Sequence, residues 1–366
     1  MTYYLILLVI SILGIFLPIK WQRILAILMV SFMCILCSLR GFDVGTDTIN
    51  YVNYSLRDVT DTFGPLYVLF RELSQLTMYP FVTFLCILAV LTYIPLAIVC
   101  YKYSDLPCLS LFLFMSTSAM YFFETFNICR QALAIMYILL AMIYYRDVTN
   151  SVGFGDFLRK NSFPVLLLLF AFFAHPYVIL ILPLFWLKRI QIDKKRMVVI
   201  LGVSVIFGLF LSEAVMSGLI SILYFVFGGS DSYLLSHLTK YSDYDYSSDY
   251  TLVGRFAHIA PYILLLIITF NKKLADNILY KMLYWGIVLL GICLSSVFSE
   301  RIACTYTISI IVVIPNLMYY LSRSQKIVVA LIFCYFTYRY VGDMNIMQFN
   351  DLNSPVPYKF IFSDLM

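Results

Sequence analysis

The chain has 366 residues, of which 62% are hydrophobic and 12% are charged, and its formal net charge is +5. A soluble domain of this length cannot hide so large an apolar surface, so this composition excludes a soluble globular protein. It indicates an all-α polytopic membrane protein, in which each crossing helix needs about 20 apolar residues.

The apolar runs follow one another along the whole chain. The first, "YYLILLVISILGIFLP", has no basic residue before it and no small-residue cleavage site after it, and it therefore predicts a retained span. The runs lie at about 3–19, 24–39, 80–101, 107–123, 130–145, 163–174, 177–187, 197–216, 253–270, 280–298, 302–321 and 327–341. They predict a single transmembrane domain over residues 1–366, with about 12 crossing or re-entrant helices.

The basic residues lie mainly in one alternating set of short loops. Sixteen of the 25 lysines and arginines belong to that set, which the positive-inside rule places in the cytoplasm. Both termini and three longer segments, 40–79, 217–252 and 342–366, are then external. Within 40–79, the stretch "PLYVLFRELSQLTMY" is typical of a helix that lies in the membrane interface.

The external segment 40–51, "RGFDVGTDTINY", is compact and polar between apolar runs. Gly41 and Gly45 permit tight backbone geometry, and Asp47 and its threonine neighbours can cap a helix. One interpretation is a well-capped turn. The other is one side of a binding site, in which Asp47 accepts a hydrogen bond from a sugar hydroxyl or acts as a base.

Residues 163–188, "FPVLLLLFAFFAHPYVILILPLFWLK", can form one long span or two short ones. Basic residues flank both ends, and a single crossing would place one basic cluster outside. A proline disfavours helical geometry at the residue before it. The sequence therefore favours a hairpin broken at His175-Pro176, with His175 close to the external surface.

Three external helix starts carry an arginine that neither the helix dipole nor the positive-inside rule explains. These are Arg130, which follows the expected N-cap Asn127, and Arg255 and Arg301. A bound phosphate or diphosphate explains all three, because helix N-termini supply N–H groups and arginine supplies a bidentate fork. The alternative is arginines that extend toward the membrane surface and pair with the local carboxylates Glu124, Asp249 or Glu300.

The remaining candidates complete a hypothetical site without a metal or cofactor. Arg40 joins the diphosphate-binding set, although it suits the C-terminal end of its own helix. His175 is the leading candidate for a general base, and an ordinary histidine at a helix break is the alternative; Glu124 is a further candidate. His258 lies one turn after Arg255. Tyr51 and the tyrosines at 241, 244, 246 and 250 could stack on sugars. The sequence contains no nucleotide-binding or nucleophile-elbow motif.

Several segments resemble the EpsG family of Wzy-like bacterial polysaccharide polymerases. "LRGFDVGTDTINYVNY" is similar to the family segment RG-x-x-VGTDT-x-x-Y, and "FNICRQALA" to N-x-x-RQ-x-x-A. "FFAHPYVILILP" resembles the single-histidine hairpin, although Pro176 replaces the usual small residue. "SER" at 299–301 and "SPVPYKFIF" near residue 358 are also similar. The substrate-binding candidates in these segments are Tyr51, Asn127, Gln131, Glu300 and Tyr358, together with His258.

The resemblance implies a glycosyltransferase-C-like helical membrane fold and a metal-independent glycosyl transfer. A growing glycan on undecaprenyl diphosphate would pass to the non-reducing end of a new lipid-linked repeat, on the external face of the bacterial cytoplasmic membrane. It implies membrane lipids, a chain-length regulator and a flippase as partners, and no nucleic acid.

Two other functions remain open. A flippase or transporter of lipid-linked sugars would show two related halves and charges near the bilayer centre, and neither is visible. A ligase that moves a finished glycan, of the O-antigen-ligase type, or a membrane acyltransferase would use similar residues. Glycan analysis in a deletion strain separates these, because loss of a polymerase leaves single repeats.

Overall fold

The computed structural model describes residues 1–56, 64–117, 120–147, 154–227, 252–292, 297–349 and 355–363. Within those ranges the chain is helical and forms no β-strand. The helices are α1 (Thr2–Gly14), α2 (Ile19–Ser38), α3 (Thr48–Leu56), α4 (Pro65–Gln75), α5 (Pro80–Ile98), α6 (Pro107–Ser116), α7 (Met120–Asn127), α8 (Cys129–Tyr144), α9 (Phe154–Ala174), α10 (Leu184–Leu187), α11 (Lys194–Phe227), α12 (Leu252–Ile268), α13 (Ile278–Ile292), α14 (Val297–Thr307), α15 (Ile310–Leu317) and α16 (Arg323–Phe349).

Five helices in the described ranges are long and apolar enough to cross a membrane: Ile19–Ser38, Pro80–Tyr103, Gly155–Ala174, Arg301–Tyr320 and Arg323–Met347. A sixth crossing results if the pair Pro107–Ser116 and Tyr121–Asn127, bent by 59°, is one span. Five further apolar helices are shorter. The prediction of an all-helical polytopic membrane protein is confirmed, whereas the count of about 12 crossings stays a prediction.

Prolines mark many of the helix boundaries. Pro65, Pro80 and Pro107 occupy the first turns of α4, α5 and α6, where a missing N–H costs no intrahelical bond. Pro95 lies inside α5 and is followed by a π-helical turn, Val99–Tyr103. His175-Pro176 ends α9 and begins a 3-10 helix, Pro176–Ile181, so the predicted helix break is confirmed.

Two predicted segment borders lie inside helices. α11 continues to Phe227, past the expected border at 217, and α16 continues to Phe349, past the expected border at 342. Both predictions ended a helix where the apolar run weakens. α16 continues through the more polar "GDMNIMQF", since tertiary context outweighs local polarity, whereas the continuation of α11, "SGLISILYFVF", is itself mainly apolar.

The chain divides into two compact units. The first comprises Met1–Leu182 with Ile308–Met366, and its centre is α6, which is buried at every position. A helix that is apolar on all sides is typical of such a central position. α1, α2 and α15 pack against α6, α5 packs between α2 and α8, and α9 lies along α8.

The second unit, Pro183–Thr307, is assembled around α13. α11 crosses α13 so closely that a Cβ atom on Gly208 would overlap the carbonyl oxygen of Gly291. Gly286 makes a similar approach to Tyr306 of α14. Small residues at crossings allow the backbones of membrane helices to approach, and the resulting close packing holds this unit together.

Candidate functional site

The turn at residues 40–47 packs against the C-terminal end of α7. Gly45 has φ 95°, and a Cβ atom there would lie 2.5 Å from the carbonyl oxygen of Phe126. The backbone N–H of Thr46 donates to Oδ1 of Asn127 at 3.1 Å. Glycine is therefore required at position 45 for two reasons, the left-handed backbone and the close approach of α7.

The expected N-cap role of Asn127 is wrong. Asn127 is the last residue of α7, and Ile128 occupies the N-cap position of α8 without any side-chain cap. The amide of Asn127 holds the turn through Thr46 instead. Arg130 does lie in the first turn of α8, as predicted.

Arg40 is completely buried, and its guanidinium donates to protein atoms in every direction. Nε donates to Oγ1 of Thr48 at 3.0 Å, and Nη1 donates to the carbonyl oxygen of Thr125 at 3.2 Å. The sulfur of Cys37 lies 3.2 Å from Nη1, and that of Cys129 lies 3.1 Å from Nη2. Such an enclosed cation needs this number of acceptors. Direct contact of Arg40 with a diphosphate stays a prediction, and the observed geometry assigns it an internal role.

The segment 355–361 closes the other side of the turn. The backbone N–H of Gly41 donates to the carbonyl oxygen of Lys359, and that of Ile361 donates to the carbonyl oxygen of Leu39, both at 2.9 Å. The Lys359 ammonium forms an ion pair with Asp43. The half-buried Tyr358 donates its hydroxyl to the carbonyl oxygen of Leu36 at 2.8 Å, so it anchors this segment to α2.

The first turn of α8 brings Arg130 against residues from two other elements. Its half-buried guanidinium lies 5.8 Å from the ring centroid of Tyr67 on α4. Its backbone hydrogen bonds with the hydroxyl of Tyr51 on α3. Burial raises the pKa of Tyr51, and the Asp47 carboxylate raises it further, so this hydroxyl stays protonated.

Tyr67 also reaches the break after α9. It is fully buried, and its hydroxyl donates to the carbonyl oxygen of Ala174 at 3.0 Å. Ala174 is the last residue of α9 and precedes His175. The two candidates that sequence analysis placed in separate segments, Arg130 and His175, are therefore connected through one tyrosine.

His175 adopts an extended conformation, with φ −157° and ψ 122°, at the N-cap of the 3-10 helix. Its Nδ1 accepts a hydrogen bond from the backbone N–H of Tyr177 at 3.4 Å, and the two rings meet edge to face at 4.5 Å. A neutral imidazole that accepts at Nδ1 carries its proton on Nε2. In this tautomer Nε2 carries the ring proton, and the role of His175 as a general base stays a prediction.

The other candidates of the first unit lie around this cluster. Asp47 is half-buried at the start of α3, and its Oδ1 accepts from the Asn50 amide at 3.5 Å. Glu124 on α7 and Gln131 on α8 are buried, with 5% and 4% of their surfaces exposed. A carboxylate as enclosed as that of Glu124 contacts substrate only if the protein opens, whereas Asp47 is already partly accessible.

The second unit contains the candidates on α12 and α14. His258 is half-buried with its ring 6.4 Å from that of Tyr262. Arg301 is half-buried and lies in the second turn of α14, as the first residue of the candidate span Arg301–Tyr320. The side chains of Arg255 and Glu300 lie outside the described part of the chain, as do the tyrosines at 241, 244, 246 and 250.

Sequence analysis missed Tyr67 and Cys129 as parts of this site. Tyr67 belongs to the stretch expected to lie in the membrane interface, and with Phe70 and Ser74 it forms the buried face of α4. That helical spacing predicts burial but does not identify the partner. Cys129 directly precedes Arg130, yet an isolated cysteine in an apolar run is typical of packing.

Comparison with known proteins supports the resemblance of the motifs. The model of the EpsG family matches residues 23–360, which include Arg40, Arg130, His175 and the paired segment 355–360. The comparisons with curated proteins and with solved structures give no match. Since the match covers nearly the whole chain, the protein belongs to the EpsG family, whose members are related to the Wzy-like polysaccharide polymerases.

Proposed function

We propose that this protein extends a glycan by transferring it from undecaprenyl diphosphate to the non-reducing end of a lipid-linked repeat, on the external face of the cytoplasmic membrane. Membership of the EpsG family supports a glycosyltransferase-like polymerase in the membrane. The finer reaction rests on the cluster of Asp47, Tyr51, Tyr67, Arg130 and His175 in the first unit.

The observation that carries the proposal is the position of Arg130. Its guanidinium is half-buried at the first turn of α8, where backbone N–H groups and the positive end of the helix dipole also favour an anion. A fork of donors at such a place suits a diphosphate. As the glycosidic bond to the diphosphate breaks, the leaving group gains charge, and Arg130 would stabilise it.

The acceptor hydroxyl needs a group that orients it and accepts its proton. Asp47 is the better candidate, because its carboxylate is partly accessible and lies beside Tyr51. His175 then donates a hydrogen bond from Nε2 to a sugar or phosphate oxygen. The buried Arg40 contacts the turn, α7 and α8. We assign it a structural role, which is to hold these elements, and the site residues they carry, in place.

The test uses purified protein and the single lipid-linked repeat that accumulates in cells lacking it. The wild type should produce a ladder of longer lipid-linked chains and release undecaprenyl diphosphate. Arg130→Ala should lower kcat/KM by about 100-fold or more, because a charge-assisted contact in the transition state is lost. Arg323→Ala is the matched control, since Arg323 is exposed at the start of α16.

Two results would contradict the proposal. Transfer of a preformed glycan to another lipid, without longer chains, would indicate a ligase. Equal extension by the Arg130→Ala and Arg323→Ala variants would remove Arg130 from the diphosphate site while leaving the polymerase activity itself in place.

A further inference from the structure

Tyr67 belongs to the cluster named above, but the proposed function gives it no role of its own. Its side chain is fully buried, its hydroxyl bonds to the carbonyl oxygen of Ala174, and its ring faces Arg130. Tyr67 comes from α4, which contributes no other residue to the proposed site. A buried tyrosine normally satisfies its hydroxyl, and Tyr67 does so at a helix break while its ring contacts a cation.

The ring of Tyr67 restricts where the Arg130 guanidinium can lie. The charge is 5.8 Å from the ring centroid, within the range of a cation–π interaction. Arginine has several rotatable bonds, so in isolation its fork would sample many positions. A buried ring beside the guanidinium leaves fewer of these positions, and the ordering cost of binding an anion falls accordingly.

The hydroxyl of Tyr67 restricts the direction of His175. The carbonyl oxygen of Ala174 belongs to the peptide unit that joins Ala174 to His175, so the bond at 3.0 Å fixes the plane of that peptide. Burial raises the pKa of Tyr67 well above its usual value, which keeps the hydroxyl protonated and able to donate. On its other side, His175 accepts a hydrogen bond at Nδ1 from the backbone N–H of Tyr177.

We propose that Tyr67 is the positioning residue that sets the Arg130 guanidinium and the His175 imidazole relative to each other. It acts through these two groups and does not itself touch the substrate. This inference rests on the proposed function, and it predicts that the two halves of the tyrosine, the hydroxyl and the ring, affect different kinetic constants.

The experiment compares Tyr67→Phe and Tyr67→Leu in the extension assay, with inorganic pyrophosphate as a competing anion. Tyr67→Phe should lower kcat about ten-fold, with KM and pyrophosphate inhibition within about two-fold of the wild type, because only the bond to Ala174 is lost. Tyr67→Leu should also raise KM and weaken pyrophosphate inhibition by about five-fold or more, because Arg130 loses its ring.

Ser110→Ala is the control for a loss that only destabilises the fold. Ser110 on α6 is also fully buried in the first unit, and it donates its hydroxyl to the carbonyl oxygen of Ile311 on α15 at 2.6 Å. Its variant should unfold at a temperature similar to that of Tyr67→Phe but keep the wild-type kcat. An equal fall of kcat in the Ser110→Ala and Tyr67→Phe variants would overturn the inference.

Wild-type kinetic constants in both Tyr67 variants would also overturn it, and so would a Tyr67→Phe variant that changes KM as much as Tyr67→Leu does. Failure of the proposed function is separate, because it appears as an absence of chain extension by the wild type. In that case pyrophosphate binding, measured as a shift of the thermal unfolding midpoint, still compares Tyr67→Phe with Tyr67→Leu.

Discussion

At the scale of single residues, the turn at 40–47 combines a backbone that only glycine adopts easily with a space that only glycine fits. Gly45 and Gly64 have almost the same backbone geometry, with φ of 95° and 92°. They differ in surroundings: a Cβ atom would meet Phe126 at Gly45, and nothing within 4 Å at Gly64. The pair therefore separates backbone strain from contact with α7.

We expect Gly45→Ala to destabilise the protein more than Gly64→Ala does. Both substitutions introduce a strained backbone, at a cost of about 1 kcal/mol, but only Gly45→Ala pushes the turn away from α7 and displaces Asp47. Thermal unfolding in detergent should show a midpoint several degrees lower for Gly45→Ala, and chain extension should fall with it. Equal midpoints for the two variants would mean that the turn shifts without cost.

At the scale of helices and turns, the sequence predicted a break within a segment better than it predicted the contacts between segments. The break at His175-Pro176 was readable because proline has a fixed geometric effect. The role of Asn127 was not readable from the sequence, because its side chain accepts a hydrogen bond from Thr46, a residue of another segment. The role of Tyr67 was missed for the same reason. The spacing of apolar residues along α4 predicts which face is buried, but it does not identify the residues that pack against that face.

The crossing of α11 and α13 allows a second test. Gly208→Leu should separate the two helices, because its side chain would occupy the position of the Gly291 backbone. Gly202→Leu is the control, because nothing lies within 4 Å of the Cβ position of Gly202 on the same helix. Gly208→Leu should lower the yield of folded protein in detergent by several-fold, measured as the monodisperse fraction in size-exclusion chromatography. A similar loss for Gly202→Leu would attribute the effect to changed lipid contacts instead, since leucine has a higher helix propensity than glycine.

At the scale of the whole molecule, composition was enough to predict a helical membrane protein, because no other fold class accommodates 62% hydrophobic residues in a chain of this length. The number of crossings was harder to predict. Several apolar helices are shorter than a bilayer crossing, and others bend or continue into polar sequence, so hydropathy does not mark their ends. Which face of the membrane each loop occupies still rests on the distribution of lysine and arginine.

That distribution predicts opposite faces for two exposed positions, Asn50 near the start of α3 and Ser324 in the first turn of α16. In a variant whose exposed Cys334 is replaced by serine, a membrane-impermeant maleimide should label Asn50→Cys in intact cells and Ser324→Cys only after lysis. The reverse pattern would invert the topology and move the candidate site to the cytoplasm.

The pairing of the 39–41 backbone with residues 359–361 has a consequence for biosynthesis. Tyr358 and its partner Leu36 are 322 positions apart in the chain. At about 5–20 residues per second, roughly 16–60 s of translation separate them. During that interval α1 and α2 can already be in the membrane. The turn that follows Arg40 still lacks its hydrogen bonds to residues 359–361. The candidate site is therefore among the last parts of the protein to fold, and a chain truncated before residue 355 would insert its first helices without completing the turn at 40–47.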